Sequence, residues 1–162
     1  MTHSPQFQVV ESTDIQRPLV NRFYKDSGDS AKVGRGDRVF VVRRCQTSNP
    51  AVSTIVAAVR LQENSGGWWF LRSMCVAPEL RGQGVGQRLL EGLGGFLSKH
   101  SCFCYPFDHL QRFYALAGFE LIEAAAIAQQ PDFMTEPFAR YRRQGRKIIL
   151  MQRSANNPVS TR

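Results

Sequence analysis

The stretch "RSMCVAPELRGQGVGQRLLEGLGGF", Arg72 to Phe96, decides how this chain is read. An apolar run leaves through Pro78, meets Arg81 and then crosses three alternating glycines, Gly82, Gly84 and Gly86. Glycine inside a helix costs about 0.8–1.0 kcal/mol relative to alanine. Glycines at the point where a helix should nucleate therefore imply a need for bare backbone. Beyond them Val85, Leu89, Leu93 and Leu97 recur every four residues, while Gln87, Arg88 and Glu91 fall elsewhere. This spacing predicts an amphipathic helix ending near Lys99. Gly92, Gly94 and Gly95 weaken it, and close packing of the helix on a sheet is the simplest reason for them.

A helix N-terminus presents N–H groups with no intrahelical acceptor, and the helix dipole adds partial positive charge there. Phosphate is a natural occupant of such a place. Glycines let an anion approach the main chain with no β-carbon in the way, and Arg81 and Arg88 add to the field. A Walker loop needs lysine and then serine or threonine after its last glycine, but Gly86 is followed by Gln87 and Arg88. A dinucleotide GxGxxG fingerprint starting at Gly82 needs glycine at position 87, where Gln87 stands. What remains is Arg-x-x-Gly-x-Gly between a strand and an amphipathic helix. Alone, such a turn is more often plain geometry than a phosphate site.

Outward from that stretch, strands and helices alternate. "FQVVE", Phe7 to Glu11, reads as a strand, and Thr13 with Gln16 as a capping box. Pro18 suits the first turn of the helix that follows, with Leu19, Val20 and Phe23 as its buried stripe. Lys25 to Asp37 collects Gly, Ser and Asp without an apolar period and reads as an exposed loop. "RVFVVRR", "STIVAAVRLQ" and "WWFLRSMCV" read as three consecutive strands, the last two joined by the turn residues "ENSGG". "SCFCYPF" gives a buried strand. Asp108 then caps a helix whose face carries Leu110, Phe113 and Ala117 and which stops at Gly118. "FELIE" is a strand, Pro137 opens a short helix with Arg140, Arg142 and Arg143 exposed and Gly145 closing it, and "RKIILMQR" is the last strand. The order implies a mixed α/β sheet covered by helices, with an antiparallel first half.

At 162 residues the expectation is one domain over residues 1–153 and a polar, frayed tail over 154–162. No run of about eighteen apolar residues exists to span a bilayer, and the N-terminus lacks a signal-peptide pattern, so a soluble, cytoplasmic protein with no membrane contact is expected. Four cysteines without CxxC spacing are expected as free thiols, with no metal site. A formal net charge of +8 suits phosphate-bearing ligands, nucleic acid or acidic surfaces, and does not choose among them.

"VAPELRGQGVGQRLL" resembles the acetyl-coenzyme A signature of the GNAT superfamily of N-acetyltransferases, and "FYALAGF", Phe113 to Phe119, resembles that superfamily's later helix, with a tyrosine four residues before Gly-Phe. The resemblance implies a largely antiparallel central sheet flanked by helices. It implies that the loop Arg81, Gly82, Gln83, Gly84, Val85 and Gly86 holds the coenzyme A pyrophosphate through its amides. It also implies that Met74, Cys75 and Val76 run beside the pantetheine arm, lending main-chain groups from Met74 and Val76, and that Tyr114 is the general acid. Acetyl-coenzyme A is the implied co-substrate, and the partner is an amine on a small molecule or peptide.

Such chemistry needs a neutral amine, yet an amine of pKa about 10.4 is about 99.9% protonated at pH 7. Many relatives place a glutamate on this strand or its neighbour, but "WWFLRSMCV" contains no carboxylate. Glu63, His109, Asp108 and a water chain all stay open as the base. Cys75 is rejected as a nucleophile because no histidine is placed to pair with it. Arg72, a charge in an apolar strand, pairs either with an internal carboxylate or with an acidic acceptor, and with His109 it is a candidate substrate residue. Two other readings stand beside the enzyme: a catalytically silent coenzyme A binder, and a nucleic-acid or ribosome-associated protein using Arg140, Arg142, Arg143, Arg146 and Lys147. The spacing of Phe138 and Tyr141 suits a buried stripe better than a base-stacking platform, which disfavours nucleic acid. Monomer and homodimer both stay open.

Overall fold

A computed structural model describes residues 6–46, 48–49 and 51–156. The strands are β1 (Gln6–Ser12), β2 (Arg38–Cys45), β3 (Ser53–Glu63), β4 (Trp69–Val76), β5 (Cys102–Cys104), β6 (Glu120–Leu121) and β7 (Met151–Arg153). They form one seven-stranded sheet in the order β1-β2-β3-β4-β5-β7-β6. The pairs β1/β2, β2/β3, β5/β7 and β6/β7 are antiparallel and β4/β5 is parallel. The fold is the expected mixed, largely antiparallel sheet with flanking helices. The chain divides into two compact units, Met1–Gln62 with Arg72–Leu93, and Glu63–Leu71 with Gly94–Arg162.

In the first unit β1, β2 and β3 form a meander in which Val9 faces Val42 and Val41 faces Ala58. Val56 to Leu61 is buried without a break, so β3 is covered on both faces. Helix α1 (Arg17–Asp26) carries Pro18 in its first turn, and the Gln16 carboxamide accepts the Thr13 N–H at 3.0 Å, as the capping reading requires. Its buried residues are Val20, Phe23 and Tyr24, whereas Leu19 is 57% exposed. Val20 and Phe23 are buried as expected and Tyr24 takes the place of Leu19, because 20, 23 and 24 share a helix face and 19 lies about 100° from 20. The 25–37 segment is also better tied than its composition suggests. Val33 N–H donates to Asn21 Oδ1, Ala31 N–H to Asp29 Oδ1, and the side chain of Asp37 is almost wholly buried.

The helix expected from Val85 to Lys99 is two helices, α2 (Val85–Gly92) and α3 (Gly94–Lys99), interrupted at Leu93. Close packing explains Gly92, where a β-carbon would lie 2.5 Å from Val9 Cγ1. It does not explain Gly94 and Gly95, which have nothing within 4 Å of the corresponding position.

The second unit is centred on Phe103, Ile122, Met134, Phe138, Ile148 and Leu150. Trp69 and Phe70 of β4 pair with Cys102 and Phe103, and β7 pairs with both β5 and β6. Asp108 does not cap α4 (Gln111–Ala115). It is the first residue of a 3-10 turn that precedes the helix, and no side-chain cap bond forms at either start. Helix α5 (Ala124–Ile127) was not anticipated, and α6 (Asp132–Arg143) begins five residues before Pro137, which sits inside it. Pro131 supplies the break that Pro137 was expected to supply. Phe138 is buried as expected, Gly145 closes the helix with φ +89°, and Arg142 and Arg140 lie over the rings of Phe138 and Tyr141. The last strand is shortened to β7, with a single bridge from Ile148 to Phe107 upstream of it. Of the expected frayed tail, Ala155 and Asn156 are hydrogen-bonded to Ser101 and Ser98, and 157–162 lie outside the described residues. Among the described residues no helix is long and apolar enough to cross a membrane, and Cys45, Cys75, Cys102 and Cys104 are free thiols.

Candidate functional site

The carboxyl half of β4 and the turn into α2 are built from local contacts. Ala77 N–H donates to the Val56 carbonyl at 2.8 Å, which ends β4 against β3. Pro78, Glu79 and Leu80 form one 3-10 turn, with Leu80 buried. Arg81 Nε then donates back to the Val76 carbonyl at 3.2 Å, and Gln83 Nε2 to the Glu79 carbonyl at 3.1 Å. Both long side chains thus brace the loop from which they come.

Gly82 and Gly84 have φ +77° and +81°, and a β-carbon at either would meet nothing within 4 Å. Conformation rather than crowding requires glycine here, since a left-handed backbone costs other L-residues about 1–2 kcal/mol. The space beside both is open. Gly84 is the residue at the N-cap of α2, its carbonyl accepting Arg88 N–H at 3.0 Å, and the first turn of α2 holds no acidic residue. The free amides of that turn therefore face no competing carboxylate from their own helix.

Met74 and Val76 are partly exposed and Cys75 is buried, so Cys75 can offer a ligand only its main chain. Burial, and then nearby Asp29, push the Cys75 thiol up, which leaves it protonated and inert as a nucleophile. Arg72, on the same strand, is partly buried.

Tyr114 and His109 belong to the second unit. Tyr114, in α4, is 5% exposed, and its ring meets Phe113 and Phe119 edge-on at 5.0 and 5.9 Å. Burial first, and then Cys104 and Cys102, push its phenol well above the usual tyrosine value. The group is thereby held in its protonated form. His109 stands exposed, stacked on Phe107 and 3.8 Å from Asp108 Oδ1. Glu63, at the end of β3, is exposed as well.

Four residues escaped the sequence reading. Arg60 of β3 is 7% exposed and its Nε and one terminal nitrogen both reach Asp37 Oδ2 at 2.8 Å. Arg60 Nη1 donates to Ser73 Oγ at 3.2 Å, and Tyr24 Oη donates to the Ser73 carbonyl at 2.8 Å. Arg60 in "STIVAAVRLQ" is as isolated among apolar neighbours as Arg72, and that signal could have found it.

The family model described as an acetyltransferase (GNAT) domain matches residues 35–121, more than half of the chain. No curated protein sequence matches it. Among solved structures, the chain is similar to the ribosomal-protein-S18-alanine N-acetyltransferase of Escherichia coli, with 13% identity over 97% of this chain and 99% of that one and a TM-score of 0.63. It is also similar to Arabidopsis thaliana Naa50 in complex with the bisubstrate analogue CoA-Ac-MVNAL, with 15% identity, 91% and 98% coverage and a TM-score of 0.58. N-acetylglutamate synthase of Neisseria gonorrhoeae, complexed with coenzyme A and N-acetyl-glutamate, matches at 14% identity over 94% of this chain and 36% of that one, with a TM-score of 0.58. At these identities the likeness is one of fold, and the match over residues 35–121 carries the assignment: the chain belongs to the GNAT family of acetyltransferases.

Proposed function

We propose that this protein moves an acetyl group from acetyl-coenzyme A to a primary amine of a small molecule or polypeptide, by direct attack and with no covalent enzyme intermediate. The observation that carries the reading is the pair of left-handed glycines, Gly82 and Gly84, with empty space beside them at the start of α2. Amides of Arg81 to Gly86 would hold the pyrophosphate, and the arginine side chain adds charge. Met74 and Val76 would align the pantetheine arm through main-chain groups. The bound donor supplies a thioester carbonyl and a thiolate leaving group.

Attack by the amine nitrogen on that carbonyl carbon forms the amide and breaks the C–S bond. The amine sheds one proton, and the departing sulfur takes one. Tyr114 is our proposed donor for the second transfer. A main-chain N–H near the carbonyl would stabilise the developing oxyanion, an effect worth about 3–4 kcal/mol where single donors have been removed in other enzymes. Two neighbours are described with coenzyme A or an analogue bound, which supports the donor, and one is described as acting on a protein alanine. A cytoplasmic setting, one functional domain over 1–153 and a role for Arg72 and His109 at the acceptor complete the proposal.

The test is a thermal melt with coenzyme A, followed by thiol release with an amine panel. Ligand at about 100 times its Kd should stabilise the protein by about 2.7 kcal/mol, and an unshifted melt at millimolar coenzyme A would remove the reading. Binding without thiol release on any amine would leave a silent binder instead.

A further inference from the structure

Ser73 is the one non-glycine residue with positive φ among the described residues, at +58°. It lies in the middle of β4, immediately before Met74, where an extended backbone is the ordinary choice. An L-residue persists in the left-handed region only when its surroundings over-determine it. Here they do so from two sides. On its carbonyl, Ser73 accepts the Tyr24 hydroxyl at 2.8 Å from α1. On its side chain, the hydroxyl accepts Arg60 Nη1 at 3.2 Å from β3. Arg60 is itself fixed, because Asp37 Oδ2 takes both its Nε and a terminal nitrogen at 2.8 Å, and the same oxygen accepts Gly34 N–H at 2.7 Å. The side chains of Arg60 and Asp37 are only 8% and 1% exposed.

We propose that Tyr24, Arg60 and Asp37 are positioning residues: they hold Ser73 in its left-handed step, and that step aims the main-chain groups of Met74, Cys75 and Val76. The functional half of this inference rests on the proposed coenzyme A site; the geometric half does not. A step through positive φ turns the strand out of its regular pleat, so the amides and carbonyls that follow point where a regular strand would not send them. All three props are well suited to permanence. Burial pushes the Tyr24 phenol far above the usual tyrosine value, so it stays a donor at any physiological pH. A buried arginine and aspartate held by further hydrogen bonds lock one geometry, because neither can be left alone without a large desolvation cost.

Glycine gives this idea a decisive test, since it adopts φ near +58° without help. Tyr24→Phe removes one hydroxyl and keeps the ring. It should displace the amide resonances of Met74, Cys75 and Val76 in a 15N–1H spectrum and raise the Kd for coenzyme A by about tenfold, equivalent to about 1.4 kcal/mol. Adding Ser73→Gly to Tyr24→Phe should bring the resonances back towards those of Ser73→Gly alone and restore the Kd to within about threefold of wild type, because the props are no longer needed. A prop that served stability alone would lower the melting temperature and leave the Kd where it was. Unmoved resonances in Tyr24→Phe, an unchanged Kd, or a loss that Ser73→Gly fails to reverse each overturn the inference. If Tyr24→Phe does not fold, Ser73→Gly and Ser73→Ala decide it. Both lose the Arg60 contact, but only alanine resists the left-handed step, so glycine must bind coenzyme A more tightly than alanine, and the reverse order overturns the proposal. Wild-type protein that ignores coenzyme A, with resonances that move and recover as stated, instead sinks the donor site and leaves the geometric role of Tyr24 standing.

Discussion

Gly92 and Val9 leave no room for a methyl group between them: a β-carbon on the glycine would fall 2.5 Å from Val9 Cγ1 and 2.7 Å from its Cβ. Helix α2 and strand β1 are thus seated as closely as the backbone permits. Gly92→Ala should cost about 1–3 kcal/mol, the usual penalty of overpacking a filled site. Urea unfolding measures it, and adding Val9→Ala should recover part of the loss. Gly95→Ala, with open space at the same position, should be neutral or stabilising by up to about 1 kcal/mol.

Gly84→Ala meets no atom but must adopt φ +81°. It should destabilise by about 1–2 kcal/mol and weaken coenzyme A binding measured by calorimetry. A variant that binds coenzyme A as wild type does would show that the loop amides are not the anchor.

Tyr114→Phe should lower kcat by about 10²–10⁴-fold, the range of a positioned acid, with little change in KM for the donor. Because burial holds the phenol well above the usual range, its loss of a proton should produce no alkaline fall in kcat below about pH 10. Steady-state rates between pH 6 and 10 check both statements.

Alkaline stability follows from the same buried groups. Cys102 is pushed by burial up to about 12, and Tyr24 and Tyr114 are raised as well. In the unfolded chain these groups lose protons nearer their ordinary values, so above about pH 9 the unfolded state binds fewer protons than the native state. Their contribution is whole below that pH and drains away as pH climbs towards the folded values, at up to about 1.4 kcal/mol per pH unit for each group. Melting temperatures should be level from pH 7 to 8.5 and fall steadily from pH 9 to 11.

Arg60→Ala leaves Asp37 buried without its counter-charge and should cost about 3–5 kcal/mol in urea unfolding. Arg22→Ala, which breaks an exposed pair with Asp26, should cost less than about 1 kcal/mol.

The parts of this fold that were legible in the sequence are those whose cause is local. An apolar strand, a proline, three alternating glycines and an apolar residue every fourth position announce β4, its turn and α2 within some twenty residues. The start of α6 was misread because Pro131 and Pro137 both suit a first turn, and only packing of Met134 into the second core decides between them. Helix α5 is a single turn of alanines and isoleucine, too short for any period to show. Asp37 looked like one more polar loop residue because its partner Arg60 is 23 residues away, and the left-handed step at Ser73 leaves no trace in residue type at all.

The bond from Arg81 Nε to the Val76 carbonyl has a thermodynamic corollary for any anion arriving at the loop. An arginine tethered in the free protein has already surrendered much of its rotamer entropy, and immobilising such a side chain on binding otherwise costs about 0.5–1.5 kcal/mol. That tether uses one of its five N–H donors, and the side chain also hydrogen-bonds Cys75, so the guanidinium is held at the loop from two sides. Truncating Arg81 would consequently remove an attractive charge and loosen the corner where β4 ends, two losses that only a charge-retaining Arg81→Lys can tell apart.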